Sequence, residues 1–498
     1  MKRILNQSNL VYLLFTSALL GVTFYNLFYN LGSFPIASFD EARHGVSAYE
    51  MLISRNFIVN TYMYKPDYWN LKPPLSFWTI ILGYKIAGFN ALGLRLVSAV
   101  CALLTVITVT LFVLKRHGKV ASVVSALVLT TCLQFFTNHC ARTGDPDALY
   151  LFLFTSAILS LLLSDKNNRW IYVSGLAFAL AFLTKSWHAG NIIVIMGLYF
   201  FFSGKYKKLS FKNWFILGCC LSVPILVWVV LRYQYDGFTF FKEMIAYDLF
   251  KRSTTTIEGH FGGKLYYLNI LSHYFIYWLV ILYGLILAYA NQRIAFKKII
   301  SAQKAYWICI AAWASVPLFL FSLAQTKISW YIIPIYPALA IIIGVLSSRF
   351  LRSGKLEMRI ILLASLLFVS ASYEMKIYQY VTHPPINSQL VLIQKLREVK
   401  TVRGATLFSY DRTKPWSQDA VLTAELSANL RVSNGNFRDF LNTQRALLFI
   451  QKKYDTATFI KTNKLRTVAS DTWGYIVSRK AIDPSHHSDQ GTALDKLT

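Results

Sequence analysis

Long apolar stretches, cut at near-regular intervals by short basic ones, set the rhythm of this 498-residue chain. Apolar runs of about 17–22 residues exceed the needs of a soluble core helix and match the ~30 Å hydrocarbon layer of a bilayer. They fall near residues 10–30, 92–114, 120–138, 148–164, 170–184 and 190–204, then 213–231, 272–290, 306–323, 329–348 and 358–374. The pattern predicts an α-helical polytopic membrane protein with about 11 transmembrane helices. The first run is too long for a cleaved signal and has no small-residue cleavage site, so it reads as a retained span. Another apolar segment, Lys72 to Phe89, opens on Pro73 and Pro74 and carries Lys85 near its end. Prolines suit a helix start. A span here would turn every later basic loop outward, so this segment is predicted to lie along the outer interface.

The basic residues orient the chain. Lys2 and Arg3, Lys115, Arg116 and Lys119, Lys166 and Arg169, and Lys205, Lys207, Lys208 and Lys212 share one side with Arg293, Lys297, Lys298, Arg349, Arg352 and Lys355. The alternate short loops hold only Arg142, Lys185 and Lys327. By the positive-inside rule the N-terminus is cytoplasmic, and an odd number of spans puts the C-terminal region outside. In a bacterium the host membrane would be the inner, plasma membrane.

Two long loops then lie outside, about 31–91 and 232–271. Loops of that length in a compact bundle tend to be functional. The apolar rhythm stops near residue 374, and T-H-P-P-I-N marks the break. Short β-like runs follow (A-T-L-F-S-Y, L-R-V-S, A-L-L-F-I, W-G-Y-I-V) between helical ones. The expected division is a membrane domain over 1–374, a small extracytoplasmic α/β domain over 375–482 and a disordered tail over 483–498.

Composition sharpens this. The chain is 55% hydrophobic, and its formal charge is +28. A charge of that size could suggest nucleic acid, but the excess sits in short clusters between apolar segments, which excludes a DNA groove. Six cysteines are present and none follows Cys309, so the polar C-terminal region has no disulfide framework. Walker, dinucleotide and H-E-x-x-H motifs are absent.

Candidate chemistry gathers at the predicted outer ends. F-D-E-A-R-H-G opens the first outer loop with Asp40 and Glu41, and L-K-P-P near its end supplies Lys72. A second acidic pair, Asp145 and Asp147, stands in R-T-G-D-P-D-A beside Arg142. Aspartates at helix starts are common caps. A carboxylate fixed at the bilayer surface can also take a proton from an attacking hydroxyl. Lys72, Arg142, Lys185, Arg252 and Lys327 defy the charge rule by lying outside. Together they could hold a phosphate leaving group, with hydrogen bonds added by Tyr331, His188 and His260. Asp248 and His260 are the candidates for a divalent metal ion.

F-D-E-A-R, K-P-P-L, D-P-D, F-L-T-K and K-I-S-W-Y-I-I-P-I-Y-P-A-L-A, in that order, resemble one family over about residues 10–345. It is the bacterial branch of protein O-mannosyltransferases and lipid A aminoarabinose transferases, within the glycosyltransferase C superfamily. The resemblance implies a polyprenyl-phosphate sugar donor, an exterior active site, inversion at the sugar, and a lipid, glycan or protein acceptor. It implies that Asp40, with Glu41 beside it, is the first-loop catalytic acid. Lys72 matches the lysine at the donor phosphate, and Asp145 or Asp147 matches the second acidic position. Two features depart from the aminoarabinose branch. Leu71 stands where that branch carries an acidic residue, and A-Y-D-L-F-K-R, with Asp248, replaces its later E-H pair. The resemblance therefore names neither that branch's metal site nor its sugar. The rival expectation is a transporter or flippase for lipid-linked sugars, which calls for charges midway along spans and broken helices in the bilayer.

Overall fold

The structure is a computed structural model that describes residues 2–290, 303–411, 416–452 and 456–479. The expected tail over 483–498, and Arg293, Lys297 and Lys298, lie outside the described residues. The first part of the chain is α1 (Lys2–Phe28), α2 (Asp40–Ser54), α3 (Leu75–Ala87), α4 (Ala91–His117), α5 (Lys119–Thr130) and α6 (Leu133–Thr137). Next come α7 (Asp147–Leu163), α8 (Trp170–Lys185), α9 (Gly190–Ser203) and α10 (Phe211–Asp236). The second long loop holds α11 (Thr239–Glu243), a π-helical stretch over Met244–Lys251 and α12 (Arg252–Thr254). The bundle ends with α13 (Tyr266–Ala290), α14 (Lys304–Leu323), α15 (Tyr336–Ser353) and α16 (Leu356–Thr382).

Every predicted span but the one at 120–138 falls on continuous helical structure. Among the described residues, eight segments are long and apolar enough to cross a membrane. One of the eight, Trp170–Ser203, is α8 and α9 joined by a 3-10 turn at Ser186–Ala189. These two helices run out and back, because Lys205 just beyond α9 donates to Ser164 at the end of α7, 2.9 Å to its Oγ. The stretch expected as one span at 120–138 is instead broken into α5 and α6 at Thr131 and Cys132. At 12 residues, α5 rises only about 18 Å. The 13 residues of α3 rise about 20 Å, short of a bilayer's apolar thickness. Helix α3 lies against α4 almost backbone to backbone: a Cβ on Gly83 would sit 2.1 Å from the Gly93 carbonyl oxygen.

The bundle has two chemically distinct ends. At one, α4 and α14 meet through His117 and Tyr306 (2.7 Å), and Arg116 pairs with Asp165 at 2.6 Å. Lys115, Lys119, Lys166, Lys205 and Arg352 belong to the same set of helix ends. At the other, Asn26 of α1 donates to both carboxylate oxygens of Glu374 on α16, at 2.9 and 3.0 Å. The first long loop covers this second end. It holds α2, a hairpin pairing β1 (Thr61–Tyr62) with β2 (Lys65–Pro66), and α3. Met63 and Tyr64 make the hairpin turn with φ of 54° and 60°, as a two-residue connection of this twist requires.

The C-terminal domain is a small five-stranded sheet with helices. In chain order its elements are α17 (Ser388–Gln394), β3 (Thr406–Ser409), α18 (Gln418–Ala428), β4 (Arg431–Ser433), α19 (Phe437–Asn442), β5 (Ala446–Gln451), α20 (Thr456–Thr462), β6 (Arg466–Ser470) and β7 (Gly474–Ser478). The strand order is β4-β3-β5-β7-β6, with β3 parallel to both neighbours and β7 antiparallel to both of its own. The four β-like runs became β3, β4, β5 and β7. The fifth strand, β6, is an exposed edge and reads R-T-V-A-S, too polar to stand out.

This domain does not hang free. Val421, Leu422 and Leu426 of α18 share one apolar cluster with Val46, Tyr49 and Met51 of α2, and the Tyr49 hydroxyl donates to Asn429 at 2.8 Å. Buried in that contact, Glu425 of α18 faces Glu50 of α2. Burial, and then the charge of Glu50, push the Glu425 carboxyl well above the ordinary glutamate range. A carboxyl raised in the folded state costs stability at any pH where the unfolded chain would have lost the proton; the cost is absent below the unfolded value. Glu425→Gln is therefore expected to melt at a higher temperature than wild type near about pH 8, with the gain gone near about pH 4. Thermal unfolding in detergent at the two pH values checks it.

Candidate active site

A cavity of about 310 Å³ opens at the bundle end covered by the first loop. Asp40 and His44 of α2, Lys72, His139, Asp147, Lys185, Arg252, His260 and Tyr331 all line it. Its walls thus come from six stretches far apart in sequence, held in place by contacts behind them.

The α2 face depends on Glu41. Helix α2 starts on Phe39, whose φ of 66° is costly for a bulky residue, and no side chain caps the start. Asp40 is the first helical residue rather than the expected cap, so its carboxylate is left for the cavity. The helix start is instead served by Glu41, which accepts from the Ala37 amide at 2.7 Å. Glu41 is fully buried and is gripped by Arg95 of α4 at 2.6 and 2.8 Å. It also accepts from the Gly144 amide at 2.9 Å. The remaining Arg95 donors go to the carbonyls of Leu31, Phe34 and Pro35. One buried ion pair therefore fixes both the loop before Asp40 and the loop before Asp145. Glu41 itself does not line the cavity.

The second acidic pair divides. Asp145 is buried, and His139 Nδ1 lies 3.2 Å from it. Burial alone would lower the His139 pKa, but the Asp145 charge outweighs it and raises it to about 9, so the imidazolium persists at neutral pH. The ring stacks on Trp330 with centroids 3.7 Å apart. Asp147, the first residue of α7, pairs with Lys185 at the end of α8. Pro146 precedes it as the N-cap and no side chain caps the helix, so neither aspartate is spent on capping.

The basic face centres on Asp248. Lys72 Nζ lies 3.3 Å from it, Arg252 Nε 3.1 Å, and the Ser186 hydroxyl donates at 2.9 Å. Burial would raise this carboxyl, but Lys72 and then Arg252 outweigh it and hold it down at about 2. Arg252 reaches on to the Tyr331 hydroxyl at 3.5 Å, and the Lys185 ammonium lies 5.2 Å from the Tyr331 ring. Lys72 is placed by the loop that leads to it. Arg43 grips Asp67 through two bonds of 2.7 Å, and Asn60 donates to the carbonyls of Asp67 and Asn70.

Three expected residues are used differently. Arg142 gives its donors to the carbonyls of Asn26, Leu27 and Tyr29, closing the end of α1. Lys327 does the same for α14, through the carbonyls of Phe321, Ser322 and Ala324. Neither lines the cavity. A cation at an outer helix end is also what a C-terminal dipole attracts, and here the nearest carbonyls claim it. Asp248, a metal candidate with His260, is paired with the cations Lys72 and Arg252. Among the described residues the group whose ligand atoms converge, all within 4.8 Å of one another, is Asp40, His139 and Asp145. The Asp145 oxygens and His139 Nδ1 are buried without a well-aligned hydrogen bond, so the donor set fits a divalent cation that displaces the His139 proton on binding.

His44, His139, Ser186 and Arg95 did not figure among the sequence candidates. His44 was legible: a residue four after Asp40 shares its helix face. The pairing of Arg95 with Glu41 was not, since 54 positions separate them.

A family model described as dolichyl-phosphate-mannose-protein mannosyltransferase matches residues 71–232. An uncharacterized protein of Aquifex aeolicus is 28% identical over 68% of this chain and 75% of its own length. An undecaprenyl phosphate-alpha-4-amino-4-deoxy-L-arabinose arabinosyl transferase of Pseudomonas fluorescens is 25% identical over 66% of this chain, a match that spans 58% of that relative. Among solved structures, ArnT from Cupriavidus metallidurans bound to undecaprenyl phosphate shares the fold at a TM-score of 0.67 and 16% identity, covering 94% of this chain and 98% of that one. The archaeal oligosaccharyltransferase AglB of Archaeoglobus fulgidus, in complex with an inhibitory peptide and a dolichol-phosphate, aligns at a TM-score of 0.54 and 11% identity, over 92% and 71%. With its many apolar spans, the chain is a multi-span membrane protein that shares its fold with ArnT and AglB and resembles the mannosyltransferase family model over residues 71–232.

Proposed function

We propose that the protein transfers a sugar from a polyprenyl-phosphate carrier to a hydroxyl acceptor on a lipid, glycan or protein, with inversion. The observation that carries this reading is the single cavity in which Asp40 faces Lys72, Arg252 and Tyr331. The acceptor hydroxyl oxygen forms a bond to the anomeric carbon as Asp40 takes its proton. The bond from that carbon to the phosphate oxygen breaks, and the electron pair leaves on the phosphate. Lys72 and Arg252, with the Tyr331 hydroxyl, offset the charge that develops there. Asp248 keeps both cations ordered before the donor arrives. Asp145 and Asp147 act as supporting acids, Asp147 by setting Lys185 at the cavity wall. A divalent cation held by Asp40, His139 and Asp145 would supply charge for orienting an acceptor oxygen.

Orientation supports an extracytoplasmic site. The cavity lies at the bundle end opposite the helix ends that carry Lys115, Lys119, Lys166, Lys205 and Arg352, the end that the positive-inside rule leaves in the cytoplasm. The C-terminal domain, docked on α2, shares the cavity's side. The bacterial inner membrane suits a polyprenyl-phosphate donor presented at that face.

A transporter or flippase for lipid-linked sugars would need charge midway along spans. Here the acids and cations of the cavity stand at helix ends. Purified protein in lipid nanodiscs, given undecaprenyl-phosphate-linked sugars and no gradient, is expected to release undecaprenyl phosphate. An intact donor after prolonged incubation with envelope acceptors would favour transport.

A further inference from the structure

His44 stands four residues beyond Asp40 on α2, and both side chains line the cavity. Its Nδ1 lies 2.8 Å from the Asp40 carbonyl oxygen. A carbonyl can only accept, so Nδ1 carries the hydrogen, and in the neutral ring Nε2 keeps a bare lone pair. The ring is 2% exposed and lies on Phe77 with centroids 5.2 Å apart, which fixes its plane. Nε2 is buried without a hydrogen-bond partner. Buried acceptors are seldom left bare, because desolvation is then uncompensated.

The neighbours do not supply the missing donor. Asp40 and Asp145 face the ring as carboxylates, which have no hydrogen to give, and Lys72 is turned toward Asp248. What would satisfy Nε2 is a donor group brought in with a substrate. His44 feels the charges of both Asp40 and Lys72. In the proposed reaction the first is the base and the second holds the phosphate, and the group that bridges them is the donor's sugar. Resting on that reading, we infer that His44 Nε2 accepts a hydrogen bond from a hydroxyl of the donor sugar, which makes it a sugar-selecting residue distinct from the phosphate-binding cations.

Binding to detergent-solubilised full-length protein tests this with three probes: undecaprenyl phosphate, undecaprenyl-phosphate mannose and undecaprenyl-phosphate 4-amino-4-deoxyarabinose. His44→Phe keeps an aromatic ring on Phe77 but has no acceptor. It is expected to bind undecaprenyl phosphate within about twofold of wild type and at least one glycolipid about tenfold more weakly. His44→Gln, whose side-chain carbonyl can accept, is expected to recover most of the loss. Wild-type affinity of His44→Phe for both glycolipids would overturn the inference. So would an equal loss for all three probes in both variants, since the ring would then support the fold and not the sugar. Lys72→Ala separates the two claims: it is expected to weaken all three probes. Unchanged undecaprenyl phosphate affinity in Lys72→Ala would remove the donor reading itself.

Discussion

Asp40→Asn is expected to abolish transfer while leaving the protein folded. Asparagine has the shape of aspartate, and among the described residues the Asp40 carboxylate makes no ion pair or hydrogen bond that the substitution would break. The helix start depends on Glu41, so thermal stability should stay within about 0.5 kcal/mol of wild type. Asparagine cannot take a proton at neutral pH. Losing a positioned general base costs about 10²–10⁴-fold in rate, so the loss should appear in kcat, with donor affinity retained. Turnover of a polyprenyl-phosphate sugar by matched amounts of the two proteins measures it. A variant that transfers at the wild-type rate would mean that another group is the base.

The second large effect is structural and lies behind the first. Arg95→Met leaves the Glu41 carboxylate buried with no cation and strips donors from three carbonyls of the loop before α2. Breaking one side of a buried pair costs about 3–5 kcal/mol, a large share of what holds a typical domain folded. Because Glu41 also holds the Gly144 amide, the damage should reach the Asp145 loop as well as Asp40. Activity is expected to fall with the unfolding temperature. Changing both partners, Arg95→Met with Glu41→Leu, should regain part of the lost stability, because no uncompensated charge then remains. If Arg95→Met melts like wild type, the clamp is not what orders this end of the bundle.

The apolar rhythm told most about the bundle, because a membrane span must satisfy its own backbone and so must be helical. It failed where a helix was interrupted inside an apolar run: Thr131 and Cys132 divide α5 from α6 with no glycine or proline to mark the break. The roles of the acids were harder. Asp40 and Glu41 are adjacent and chemically alike, yet one faces the cavity and the other is buried against Arg95. Successive helix positions point about 100° apart, and nothing local says which face meets α4. The stray cations divided for a similar reason. Lys72 and Arg252 have Asp248 to draw them into the cavity, while Arg142 and Lys327 find open carbonyls at helix ends first. The docking of α18 on α2 joins residues as far as 380 positions apart, as Tyr49 and Asn429 are. Only the folded chain displays it.

The most direct test is where a donor phosphate binds. A cryo-electron microscopy map of the protein in nanodiscs with undecaprenyl phosphate is predicted to show phosphate density bridged by Lys72, Arg252 and the Tyr331 hydroxyl, with Asp40 across the cavity from it. Phosphate density at the opposite, lysine-rich end of the bundle, with this cavity empty, would contradict the account.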